Sequence, residues 1–211
     1  SQWLADLVKQ SYLKDYNTVV INNGIDLTKF KPTSGNFRQK HNLINKIVLL
    51  GVAFDWSEKK GLEEFKRLAD SLSEEYAIVL VGVSNAVKKT LPHRIISISC
   101  TQSQDELAQI YTSADIFVNP THEEVLGLVN LEALACGTPV ITYNAGGSPE
   151  TIDNSCGSVV PYLDYSALLK EIYRISKDSP YSSEACVKRA RKFDKELKYQ
   201  EYMELYKNAA R

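Results

Sequence analysis

Six short apolar runs, at residues 46–52 (KIVLLGV), 77–83 (AIVLVGV), 94–98 (RIISI), 115–118 (DIFV), 139–142 (PVIT) and 158–160 (SVV), punctuate the chain. Segments of helical periodicity separate most of them, at about 59–72, 103–113, 126–136 and 164–177. Runs that are apolar throughout, rather than alternating with polar residues, belong to strands covered on both faces. Such strands interleaved with helices imply a doubly wound α/β, Rossmann-like domain with a parallel sheet of about six strands. In the usual order 3-2-1-4-5-6 the winding reverses between the first and fourth strands, and ligands sit in the crevice beyond their carboxyl ends. The loop after the first strand is 51–60 and the loop after the fourth is 119–125. Topology therefore predicts that Lys60 and Glu124 meet.

The stretch that follows the fourth strand is NPTHEEVLGLVNLEALACGTPVI, residues 119–141. It turns through Asn119, Pro120 and Thr121, opens an apolar-rich helix at about Leu126, and stops at Gly137 with Pro139 just beyond. Glu124 stands before the first helical turn and Glu132 inside the helix. If that interval is mostly helical, the carboxylates lie roughly 12 Å apart along the axis. A helix N-terminus between them favours phosphate, and each carboxylate can accept hydrogen bonds from a pair of sugar hydroxyls. A sugar nucleotide has this shape. Taken singly, Glu124 also reads as a dipole-stabilising residue and Glu132 as a solvent-facing one.

The same stretch resembles the E-x7-E signature of the family 4 retaining glycosyltransferases, which have the GT-B fold. Glu124, Gly127, Leu128, Glu132, Ala133, Gly137, Pro139, Val140 and Ile141 fall in matching places, while Val125 and Leu126 replace the usual Gly and aromatic residue. Other segments extend the likeness. VINNGIDLTKFKP resembles the hinge strand that opens the family's C-terminal domain, with a short strand expected at 18–21 and Gly24 as donor-side backbone. GVAFDWSEKKG resembles the first-loop sequence of capsular and exopolysaccharide transferases; Val52 stands where Arg is usual, and Lys60, with Lys59 as substitute, takes the phosphate role. RIISISCTQSQDELAQIY resembles the segment whose turn passes near the nucleobase, here through Cys100 and Thr101. YNAGGSPE matches G-G-x-P-E and brings Gly146 and Gly147 toward the donor crevice, before a short helix that Ser148 would cap, with Glu150 in its first turn.

Composition narrows the remaining classes. With 44% hydrophobic and 24% charged residues, the chain is neither disordered nor spanning. A net charge of −1 gives no electrostatic case for nucleic acid. The four cysteines show neither a C-x-x-C pair nor metal spacing, which favours reduced thiols. The turn VGVSN lacks the dinucleotide fingerprint. No D-x-D motif lies near the site, and no metal or other cofactor is expected. His122 is near the site but has no carboxylate partner evident from sequence, and reads as a loop residue.

Three parts are expected: a linker helix and hinge strand over 1–22, a nucleotide-sugar-binding domain over 23–192, and a C-terminal crossover helix over 193–211. The resemblance covers only the donor half of a GT-B enzyme, and the chain begins Ser1-Gln2-Trp3 without a methionine. The expectation is thus a donor domain apart from its N-terminal acceptor domain, and inactive alone. The resemblance implies a cytoplasmic protein, at the inner face of the membrane through a lipid-linked acceptor, that transfers a hexose-type sugar from a UDP-sugar in surface polysaccharide synthesis. Glu124 would hold donor-sugar hydroxyls, Glu132 the ribose hydroxyls, and Lys60 with the amides around Leu126, Gly127 and Leu128 the diphosphate. An epimerase-like enzyme and a non-catalytic sugar-nucleotide-binding module remain the alternatives.

Overall fold

The computed structural model describes residues 1–209. Helices α1 (Gln2–Val8) and α2 (Phe37–Lys40) precede the first strand, β1 (Ile47–Val52). Then follow α3 (Leu62–Ser71), β2 (Tyr76–Val81), α4 (Asn85–Lys88), β3 (Ile95–Ile98), α5 (Gln104–Ser113) and β4 (Ile116–Asn119). The chain continues through α6 (Leu128–Ala135), β5 (Val140–Tyr143), β6 (Gly157–Val160), α7 (Tyr165–Asp178), α8 (Ser183–Ala190) and α9 (Lys195–Ala209). Single 3-10 turns occur at Glu58–Lys60, Ser148–Thr151 and Arg191–Phe193. Residues 210 and 211, the last of the expected terminal helix, lie outside the described residues.

The six strands form one parallel sheet in the order β3-β2-β1-β4-β5-β6, the doubly wound arrangement expected from the alternation of runs. Successive side chains of a strand point to opposite faces, so each apolar run feeds two cores. On one face Val48, Leu50 and Phe117 pack with Tyr111 of α5, Leu131 and Leu134 of α6, and Cys186 of α8. On the other, Leu49, Ile116 and Ile141 pack with Phe65 and Leu68 of α3 and Ile172 of α7. All these side chains are fully or almost fully buried. Arg38 ties the bottom of the sheet by donating to Asp115 Oδ2 at 2.6 Å, and that carboxylate also accepts the Val48 amide at 2.7 Å.

Several local expectations are corrected. Residues 18–21 form no strand, because among the described residues no neighbouring strand runs beside them; the nearest pairing is an isolated bridge from Ile25 to Asp194. The linker helix expected within residues 1–22 occupies only Gln2–Val8 and gives way to turns. The helix expected from Leu126 begins at Leu128, since Gly127 adopts a left-handed φ of +85° that helical backbone excludes. Fewer of the residues between Glu124 and Glu132 are helical than the 12 Å estimate assumed. Gly24 packs against the backbone of Lys195, and its neighbour Asn23 is the residue there that reaches the crevice. α9 buries none of its residues, while the four cysteines are unpaired as their spacing indicated, three buried and Cys100 exposed.

Candidate functional site

A cavity of about 320 Å³ opens beyond the carboxyl ends of β1 and β4, in the size range of small-ligand sites. Its lining draws on the loop after β1 (Ala53, Phe54 and Lys60), on the end of β4 (Asn119) and on the loop into α6 (Glu124 to Val129). Lys60 Nζ donates to Glu124 Oε2 at 2.8 Å, so the two loops of the switch point do meet. The other oxygen of Glu124 accepts the Val125 amide at 3.1 Å. No side chain caps the start of α6, which leaves its first-turn amides for a ligand.

Backbone fit brings the loops this close. Gly61 has φ +75° and a Cβ there would run into the carbonyl of Pro120. The His122 amide donates to Lys59 O at 2.8 Å, and Thr121 Oγ1 donates to the same carbonyl at 3.1 Å. On the other side of the loop, Gly146 with φ +56° lies against the Glu124 carbonyl, which accepts the Gly147 amide at 2.9 Å.

A buried polar network fixes the start of α6. Asn119 Nδ2 donates to Asn130 Oδ1 at 2.8 Å, and Asn130 Nδ2 donates to Ser148 Oγ at 2.9 Å and Thr151 Oγ1 at 3.0 Å. Thr142 Oγ1 closes the ring, 2.7 Å from Ser148 Oγ and 2.9 Å from the Asn119 carbonyl to which it donates. Ser148 is therefore not the cap expected of it. The signal in the sequence is Asn130 itself, a polar residue within the apolar run LGLVNLEALA. Glu150 also acts at a distance: its carboxylate accepts the amides of Gln2 at 2.8 Å and Trp3 at 2.7 Å, capping α1.

The predicted site residues separate into two groups. Lys60, Glu124, Leu126, Gly127 and Leu128 line the cavity. Glu132 lies one turn further along α6 on the side of Leu128, where it accepts the Tyr111 hydroxyl at 2.9 Å. Lys59 instead pairs with Glu123 at 2.6 Å. Cys100 and Thr101 lie in the loop after β3, and neither they nor Gly146 and Gly147 line the cavity. His122 has a carboxylate partner after all: its Nε2 is 2.9 Å from Glu64 Oε1. Burial pushes the Glu132 carboxyl up to about 7, a rise that the Tyr111 hydrogen bond opposes. Burial and the neighbouring Glu132 raise the Tyr111 phenol well above its usual range, so it stays a donor.

Fold and site together define a doubly wound α/β domain with a small-ligand cavity at its switch point, and comparison with known proteins gives its family. A profile of the glycosyl transferases group 1 matches residues 34–193, and the chain belongs to that family. It is similar to the D-inositol 3-phosphate glycosyltransferase of Streptomyces bingchenggensis, at 39% identity over 46% of this chain and 20% of the relative. It is similar also to the capsular polysaccharide biosynthesis glycosyltransferase CapM of Staphylococcus aureus, at 26% identity over 74% of this chain and 44% of the relative. Among solved structures, Anabaena Alr3699/HepE in complex with UDP-glucose superposes with a TM-score of 0.81 at 20% identity, over 98% of this chain and 61% of that one. The chain spans between 13% and 45% of the length of the curated relatives it matches. Among the described residues no helix is long and apolar enough to cross a membrane.

Proposed function

We propose that this chain is the donor-binding part of a retaining glycosyltransferase that takes a UDP-linked hexose and serves surface polysaccharide assembly. The observation that carries this reading is the meeting of Lys60 and Glu124 in a cavity that also holds the uncapped start of α6. The UDP-glucose bound to the Anabaena structure and the capsular relative support the choices of donor and pathway class.

In this reading the diphosphate displaces Glu124 from Lys60 and takes the ammonium together with the amides of Leu126 to Leu128. Glu124 then turns its oxygens to the sugar hydroxyls, and Glu132 accepts from the ribose. As the bond from the anomeric carbon to the diphosphate breaks, the electron pair leaves on the diphosphate, where Lys60 and the helix start already supply positive potential. No metal is needed in this scheme. The acceptor, held by the N-terminal half at the cytoplasmic face of the membrane, supplies the hydroxyl whose oxygen bonds to the anomeric carbon, and its proton leaves on the diphosphate.

Calorimetric titration with UDP, UDP-glucose and GDP tests it. Binding of UDP, strengthened by the sugar and weakened about 10- to 100-fold in Lys60→Ala, is the expected outcome. Failure of all three nucleotides to bind would overturn the reading.

A further inference from the structure

Glu64 is an unusual residue to find where it is. It sits in the first turn of α3, 7% exposed, with Oε1 on His122 and Oε2 buried with no hydrogen-bond partner among the described residues. A half-satisfied buried carboxylate destabilises a fold more than an apolar side chain of similar size would. Stability therefore does not account for it. Its one partner lies in the loop after β4, two residues from Glu124, and the same His122 donates its amide to Lys59, next to Lys60. The imidazole is boxed by the rings of Tyr143 and Tyr162, with centroids 6.5 and 6.2 Å away.

We propose that Glu64 and His122 are positioning residues that hold the loop after β4 against the Glu58–Lys60 turn, and so set the separation of Lys60 and Glu124. Neither touches the cavity. The pair acts through backbone: Glu64 fixes the imidazole, the imidazole fixes residue 122, and residue 122 is hydrogen-bonded to the carbonyl of residue 59. With a carboxylate opposite it, Nε2 carries the proton and Glu64 accepts. A glutamine at position 64 can accept the same hydrogen bond, whereas a leucine cannot.

The role in donor binding rests on the function proposed above; the role in loop position does not. The test uses the whole chain and its Glu64→Leu, Glu64→Gln and His122→Ala variants, read by UDP titration, by melting temperature and by amide hydrogen exchange at His122 and Gly147. Gly147 reports from the far side of the loop, where its amide donates to Glu124 O. We expect Glu64→Leu and His122→Ala to speed exchange at both amides about tenfold and to weaken UDP about tenfold. Glu64→Gln should stay within twofold of the parent, and Glu64→Leu should melt within a few degrees of it. Unchanged exchange at Gly147 in both disruptive variants overturns the proposal, whatever UDP does. If the parent fails to bind UDP while exchange responds as expected, the donor reading fails and the positioning role stands.

Discussion

The buried hydroxyl of Tyr111 donates to Glu132 Oε2 at 2.9 Å, and it is the only hydrogen bond that carboxylate makes among the described residues. Burial outweighs it and holds the carboxyl up at about 7 instead of its ordinary 4.5. A carboxylate that must accept two ribose hydroxyls binds best when ionised. UDP affinity is therefore expected to rise with pH from 6 to 8, at most tenfold per unit below the folded value, and to become flat in Glu132→Gln. A flat profile for the parent, with UDP bound, would remove Glu132 from the ribose.

The same carboxyl makes stability depend on pH. Its folded value lies above its unfolded one, so the folded state holds the proton more tightly. That contribution is fully present below about 4.5 and is lost as pH rises to about 7. Thermal melts of the parent against Glu132→Gln, taken from pH 4.5 to 8, should show the parent losing relative stability across that window. Relative stability that instead grows with pH there would mean that the carboxyl is not raised.

Lys60 and Glu124 hold each other across the cavity, which gives their variants opposite signatures. Lys60→Ala removes a charge-assisted contact to phosphate of about 1.5–3 kcal/mol, or about 10- to 100-fold in UDP affinity. Glu124→Gln frees the ammonium and should leave UDP affinity unchanged or slightly higher, while abolishing the added affinity of UDP-glucose over UDP. Equal loss of UDP binding in both variants would show that the carboxylate contacts something other than the sugar.

Asn130 is the hub of the buried ring. Asn130→Ala strands Asn119 Nδ2 and takes a donor from Ser148 and Thr151, all inside the protein. A loss of about 2–4 kcal/mol in denaturant unfolding is expected from groups left unpaired in this way. A loss below about 1 kcal/mol would place the rigidity of the α6 start elsewhere.

Gly61 couples two loops through its backbone. With φ +75° and Pro120 against it, Gly61→Ala should destabilise the fold by about 1–2 kcal/mol from the dihedral alone. UDP should weaken as well, because Lys60 precedes this residue directly. A stable variant with parental UDP affinity would show that the Lys60 turn can shift without consequence.

The strands were legible because each apolar run must supply two cores at once, which leaves little freedom in where it begins or ends. The meeting of Lys60 and Glu124 followed from strand order, a property of the whole pattern. What the sequence concealed were partnerships without a period. Glu64 and His122 are 58 residues apart and nothing local joins them. Asn119, Asn130, Thr142, Ser148 and Thr151 come from four separate elements, and polar residues carry no repeating signal. Ser148 and Glu150 show the complementary error: the turn chemistry suits a local cap, but tertiary partners take both side chains. The helix start moved from 126 to 128 because a single left-handed glycine overrides an apolar pattern.

The carboxylate of Glu150 that caps α1 has a bearing on where this protein can be cut. Removing the first eight residues would strip Gln2 and Trp3 from a side chain three residues beyond Gly147, the glycine whose amide holds up the Glu124 carbonyl. A trim at the far end past Phe193 would likewise break the bridge from Ile25 to Asp194 and the ion pair of Lys195 with Asp26. A piece trimmed to the sheet and its covering helices would thus lose the contacts that hold both end segments to the domain, one of them three residues from the backbone that supports Glu124.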